Sequence, residues 1–306
     1  YVKEGTATFE EALNRCSSHY PGGTCIPMLE QALSNGICSL NPNVDRLTRT
    51  IEMEINPDGE VVNYNIYKSV IKSRKAMSYS KVNKVLNGEN VEDYSKYEYD
   101  LILMNELNDI LENARLKRHY LDFDTKEVEA VQSNGIIKNI KPVDYGKSGK
   151  IIENFMLVAN ETVYKDFAWF ILAYRIHEAP DEEKVKEILN MLRQSNINIP
   201  KVQNINVLSL KKIINSLDDS ELSLVVRECI LRSMKKARYD TNNVGHFALQ
   251  YDTYGHFTSP IRRIIDLITH MTIDNIENFD YSNELHSNSL PTPKHCRRQF
   301  IMLRIL

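Results

Sequence analysis

Two alternating runs, residues 47–55 and 61–71, face each other across Asn56-Pro57-Asp58-Gly59. Turn residues between two strand-like runs specify a β-hairpin, because the chain must reverse where glycine supplies the unusual dihedrals. A second hairpin is expected at Asn134-Gly135. Around these lie helical segments. Thr8 and Glu11 have the spacing of a capping box for a short helix ending near Arg15, and Pro27 opens a helix that Asn35-Gly36 ends. Ser80 begins another that stops near Asn87-Gly88. Residues 99–117 place Leu103, Leu107, Ile110, Leu111 and Ala114 at helical spacing, which predicts one buried stripe. Further helices are predicted over 151–165, 180–194, 210–217 and 221–238, with an extended segment at 168–174 and a flexible loop at 145–149. Strands gather in the first half and helices in the second, so the expected fold class is α+β, one mixed domain of hairpins packed with helices over 1–280. Residues 281–306 lack periodicity until their last apolar residues and are expected to be an irregular tail, truncated or artefactual.

Composition narrows the function classes. The chain has 306 residues with 42% hydrophobic and 26% charged content, values of a soluble globular protein. No apolar run reaches membrane-spanning length, and no targeting signal is visible. Five cysteines (Cys16, Cys25, Cys38, Cys229, Cys296) show no Cys-x-x-Cys pairing, which speaks against a disulfide framework or a zinc site and for reduced thiols in the cytoplasm. A net charge of −3 and a pI near 6.3 exclude a broad basic field, so any nucleic-acid contact must be a focused channel.

The most informative stretch is GHFALQYDTYGHFTSPIRRIIDLITH, residues 245–270. Ser259-Pro260 reads as an N-cap and first helical residue, with Thr258, Ser259 and the next turn offering backbone N–H groups outward. Arg262 and Arg263 then fall in the first turn, and forked guanidiniums beside a helix start suit phosphate oxygens. Phe247, Tyr251, Tyr254 and Phe257 are candidate surfaces for base stacking. An ordinary alternative exists for the arginines, a solvated helix face with Arg262 paired to Asp266 at i, i+4.

HFTSPIRR followed by Asp-Leu and a histidine resembles the signature of the RNase II superfamily catalytic domain (RNB), its ribonuclease R branch most of all. RSMKKARYDTNNVGHFAL (232–249), YRIHEAPDEEKV (174–185), IIENFMLVANE (151–161) and IPMLEQALSNGICSLNPNVDR (26–46) resemble further family blocks in family order. The resemblance implies a processive 3′-to-5′ exoribonuclease that hydrolyses single-stranded RNA to nucleoside 5′-monophosphates. It places Arg262 where the family handles the scissile phosphate, with Arg263 beside it and Ser259 on the RNA side. Tyr20, in NRCSSHYPGG, and Phe123, in LDFDT, fall where family aromatics stack on terminal bases, and Glu153 where a channel-lining helix meets the terminal nucleotides. His246 and His256 are read as satisfied structural residues.

Departures are equally specific. Glu153-Asn154 stand where two glutamates are usual, and Ile264-Ile265 where the family has Tyr-Pro. The family holds Mg²⁺ on an Asp-x-x-x-x-x-Asp-x-Asp-Asp cluster, expected upstream of Tyr1, and no substitute is found: Asp218-Asp219 and Asp122/Asp124 suit a cap or turn. The chain, opening on Tyr1, is therefore expected to be a fragment without metal ligands, inactive by itself. Expected partners are single-stranded RNA and no membrane, with a monomeric chain. The alternatives are a non-catalytic RNA-binding or scaffold protein with an RNB-like fold, and an unrelated helical phosphate-binding domain.

Overall fold

The computed structural model of the chain describes residues 1–21, 24–121, 127–133, 136–170, 172–194, 199–202, 204–216 and 221–277. These divide into two compact units, one of 1–114, 126–172 and 256–306, the other of 115–125 and 173–255. The 281–306 tail, the Asn134-Gly135 turn, Cys296, Phe123 and the aspartates at 122, 124, 218 and 219 lie outside the described residues.

The first unit is organised by the first hairpin. Strands β1 (Asp45–Ile55) and β2 (Val61–Lys72) pair antiparallel from Asp45↔Lys72 to Ile55↔Val61, with one register shift at Glu54/Ile55. The turn closes because Asn56 Oδ1 accepts the N–H groups of Asp58 and Glu60 while Gly59 takes φ +82°. Period-2 alternation puts Arg49, Met53 and Tyr64 on one face. That face meets helices α4 (Gly146–Asp166) and α8 (Ile264–Glu277). Thr162 bonds Met53 Sδ at 3.5 Å, the Tyr64 hydroxyl donates to Asp166 at 2.7 Å, and Arg49 pairs with Asp274 and Glu277. Tyr164 of α4, fully buried, reaches Thr269 of α8 at 3.0 Å.

Three further helices and a second hairpin complete this unit. Helix α1 (Ala7–Arg15) is capped by Thr6, whose hydroxyl accepts from Phe9 N–H, so the cap lies two residues before the expected Thr8. The segment from Pro27 is not an α-helix; it forms one π-type turn, Ala32–Ile37, running through Asn35-Gly36. Helix α2 (Tyr79–Leu86) stops at Asn87-Gly88 as expected, with Gly88 at φ +83°.

Helix α3 (Glu98–Lys117) buries Leu111 of the expected stripe and half-buries Leu107, Ile110 and Ala114, but it turns Leu103 outward. Leu103 is 42% exposed while Asn108 is buried, because Asn154 of α4 donates to Asn108 Oδ1 at 2.8 Å and to Glu112 at 3.0 Å. A buried amide network outranks apolar periodicity there, since each buried polar group must find a partner. Strands β3 (Glu127–Ser133) and β4 (Ile136–Val143) form the second hairpin. The 145–149 loop is the opening of α4 rather than a flexible linker: Tyr145 packs on Tyr79 at 5.0 Å, and Asn83 accepts the Ser148 N–H.

The second unit holds α5 (Glu182–Gln194), α6 (Val207–Asn215) and α7 (Glu221–Ser233) around a core that includes Val185, Leu189, Leu210, Ile213, Val226 and Ile230. Asn206 and Ser209 form a reciprocal capping box at the start of α6. A short ladder joins β5 (Tyr174–Ile176) to β6 (Arg238–Asp240), so strand forms at Tyr174 itself, while residues 168–170 turn and α7 ends five residues before the expected boundary. The α+β class stands.

Candidate functional site

The Ser259–Arg263 stretch is not the opening of a helix. Residues 259–262 form a turn in which the N–H groups of Arg262 and Arg263 donate to Ser259 O at 3.2 and 3.1 Å, and α8 begins only at Ile264. The amides expected to face a ligand are already taken. Asn160, 2% exposed on α4, accepts from Phe257 N–H at 2.9 Å and from Thr258 N–H at 3.2 Å. Asp266, fully buried in the first turn of α8, accepts Ser259 N–H at 2.7 Å. Proline 260 has no N–H to offer. Two buried side chains thus consume the donors of three consecutive residues, so those three amides are not free to meet an anion.

The two arginines are not equivalent. Arg263 Nη2 donates to Asp266 Oδ1 at 2.7 Å, while the i, i+4 pair that the ordinary alternative gave Arg262 is not formed. Arg262 is exposed and makes no ion pair among the described residues. Burial pushes the Asp266 carboxyl up, and the neighbouring Arg263 guanidinium only partly offsets this. One oxygen carries both bonds; Asp266 Oδ2 and Arg263 Nε are buried without a hydrogen-bond partner.

A strand-like seam ties the turn to the start of the chain. Ser18 N–H donates to Arg262 O at 2.9 Å, Ile264 N–H donates to Cys16 O at 2.9 Å, and Ser17 bridges Arg263. Cys16 holds φ +60°, a left-handed value rare outside glycine, which the seam and its own bond to Ala12 O sustain. Immediately beyond, His19 and Ile26 exchange backbone bonds at 2.9 and 2.8 Å, pinching the loop that carries Tyr20. Tyr20 is 60% exposed. The structure therefore brings Tyr20 and Arg262 onto neighbouring stretches of backbone, which spacing in the sequence could not reveal.

Glu153 sits two helical turns before Asn160, about 10 Å along α4 at the usual rise. It is half-exposed and paired with Lys150 at 3.0 Å, whereas Asn154 is buried in the amide network, so of the Glu153-Asn154 pair only Glu153 faces solvent. The aromatics expected to offer stacking surfaces do not. Tyr251, Tyr254 and Phe257 are buried, the first two stacked on each other at 5.3 Å and Phe257 on His270 at 4.0 Å, and Phe247 packs against the second unit's core. Packing claimed them because burying a ring is worth more than leaving it wet.

His246 and His270 are held within the fold by their ring nitrogens. His246 accepts Leu249 N–H through Nδ1 and lies 5.0 Å from the His177 ring; His256 accepts Tyr164 through its carbonyl. His270 contacts Phe257 O at 2.9 Å. Burial lowers His246 and His270 each to about 4, with the neighbouring His177 adding to the shift at His246. Asp266 was legible in the sequence only as an arginine partner, and Asn160 only as part of the 151–161 block; that both clamp backbone amides of the turn comes from the structure.

Among the described residues no three acidic, histidine or cysteine groups are gathered where they could hold a metal ion, and the four described cysteines are free thiols. No helix among them is long and apolar enough to cross a membrane.

Comparison with known proteins is consistent in sequence and in fold. The RNB domain family matches residues 1–278. Ribonuclease R of Thermotoga maritima is 41% identical over 98% of this chain and 44% of its own length. Ribonuclease R of Escherichia coli is 33% identical over 89% of the chain and 34% of its own length. The structure of Mycoplasma genitalium RNase R in complex with ribose methylated single-stranded RNA superposes with a TM-score of 0.85 at 30% identity, over 94% of this chain and 46% of that one. The chain spans less than half the length of these relatives.

Proposed function

The chain belongs to the RNB domain family, and from that premise we propose that it is the catalytic domain of an exoribonuclease of the ribonuclease R type, acting on single-stranded RNA from its 3′ end. The carrying observation is 41% identity to a ribonuclease R over 98% of the chain. The reaction is hydrolysis. A water oxygen bonds the terminal phosphorus, the P–O3′ bond breaks, the oxygen left on the shortened strand takes up a proton, and a nucleoside 5′-monophosphate departs. Repetition without release makes the enzyme processive.

In this reading Arg262, exposed on a turn pinned by Asn160 and Asp266, orients the scissile phosphate and offsets charge that grows in the transition state. Tyr20, exposed on the pinched loop beside it, stacks on a terminal base without reading its identity. Glu153 meets the terminal nucleotides from α4; Phe123 has its proposed stacking role from the resemblance alone. Because Ser259 N–H is spent on Asp266, the RNA contact proposed for Ser259 falls to its side chain. Mg²⁺ does not fit the described residues of this chain, which gather no ligand set, so no step is assigned through it. The protein is proposed to act in the cytoplasm as a monomer.

The test uses the full-length protein with single-stranded RNA labelled at its 5′ end and Mg²⁺ supplied. Stepwise shortening with monophosphate release is expected. Arg262→Ala should reduce turnover by about 100-fold or more while RNA affinity falls by only about fivefold, the loss of one phosphate contact, as for a group that acts mainly in the transition state. Tight RNA binding with no cleavage would replace this reading with a non-catalytic RNA-binding protein.

A further inference from the structure

Asp266 and Arg263 form an arrangement that stability alone does not explain. Removing a carboxylate and a guanidinium from water costs free energy that a single hydrogen bond between them does not return, and apolar residues of similar volume often fold as well or better. Here Asp266 is fully buried, bonds only through Oδ1, and leaves Oδ2 and Arg263 Nε without a partner. What the pair does deliver is geometry. The same oxygen holds Ser259 N–H at 2.7 Å and Arg263 Nη2 at 2.7 Å, so one atom fixes both ends of the turn that carries Arg262. On the other flank the backbone of Arg262 is held by Ser18 at 2.9 Å.

We propose that Asp266 is a positioning residue: it commits Arg263 to the protein and aims the turn so that Arg262 alone of the two arginines meets an RNA phosphate. This rests on the reading of Arg262 given above. It divides two adjacent guanidiniums that composition would treat as a joint phosphate clamp. Arg263 serves as a strut whose charge is spent on Asp266, and Arg262, exposed and without an ion pair among the described residues, carries the ligand contact. The backbone supports the division, because the Phe257, Thr258 and Ser259 amides are occupied and cannot substitute for a missing guanidinium.

Binding of single-stranded RNA by the full-length protein, measured across a salt series in EDTA so that no turnover is required, separates the roles. Each phosphate neutralised on a single strand contributes about 0.7 to the slope of log affinity against log salt. Arg262→Ala should lower that slope by about 0.7, and Arg263→Ala should leave it unchanged. If Arg263→Ala does not fold, Arg263→Met combined with Asp266→Asn removes both charges of the pair, keeps an acceptor for Ser259, and carries the same expectation. A second measurement addresses positioning: Asp266→Asn should lower kcat by about tenfold with KM within about twofold and thermal stability retained, the mark of a mis-aimed group. An equal slope loss for both arginines, or an unchanged kcat in Asp266→Asn, overturns the assignment to Asp266 and leaves the nuclease reading standing. If neither arginine affects the slope, the phosphate role of Arg262 fails first and this inference with it.

Discussion

Ser18 donates its backbone N–H to the carbonyl of Arg262 at 2.9 Å. That bond joins the loop carrying an exposed tyrosine to the turn carrying an exposed arginine, and it makes the Tyr20 ring and the Arg262 guanidinium parts of one local scaffold. With His19 and Ile26 paired just beyond it, the position of Tyr20 is set by backbone bonds and not by packing of its own ring.

Tyr20→Ala should therefore weaken binding of single-stranded RNA without weakening the fold. Loss of one stacked base costs about 1–3 kcal/mol of affinity. Fluorescence anisotropy with an RNA oligomer, alongside a thermal melt, measures both quantities. A lower melting temperature with affinity intact would show the ring to be structural.

Asn160 has the opposite character. Its single side-chain oxygen satisfies two amides, the buried one of Phe257 and the half-buried one of Thr258, and it is itself only 2% exposed. Asn160→Leu should destabilise the protein by about 2 kcal/mol or more, because each orphaned buried donor carries a desolvation cost. Urea unfolding at constant m-value reads this directly; a loss below about 0.5 kcal/mol would mean that the turn finds other partners.

Acid should destabilise the protein through its histidines. Burial holds His246 and His270 near 4 in the folded state, against about 6.5 when unfolded. The folded chain then binds fewer protons than the unfolded chain between those values. The contribution of these residues is fully present above about 6.5 and is lost as pH falls through the window down to about 4. Urea midpoints should drop across that window, and the drop should be shallower in a His246→Gln/His270→Gln double variant. Identical pH profiles for the two proteins would disprove the assignment.

Gly59 closes the first hairpin at φ +82°, and a β-carbon there would stand 2.6 Å from Ala114 Cβ on α3. Neither conformation nor space admits a side chain. Gly59→Ala should cost about 1–3 kcal/mol, seen as a lowered urea midpoint. An unchanged midpoint would show that hairpin and helix separate at little cost.

Local pattern in the sequence determined most of the elements. Period-2 runs around Asn56-Pro57-Asp58-Gly59 became β1 and β2, Asn87-Gly88 ended α2, and the helix expected over 180–194 formed as α5. These signals are short-range, since dihedral preference, side-chain alternation and capping act within a few residues. The motif likewise singled out residues 245–270 as the candidate site. Only tertiary structure decided which groups there were free to act. Leu103 turned outward and Asn108 inward because Asn154 of α4 required a partner. Tyr251, Tyr254 and Phe257 went to the core, and the amides near Ser259 were bound by Asn160 and Asp266. Arg262 and Arg263 are neighbours with the same side chain, and what distinguishes them is a buried carboxylate three residues beyond the second. Such choices depend on partners brought together through space, where burial makes each unpaired polar atom costly, and no spacing along the chain encodes them.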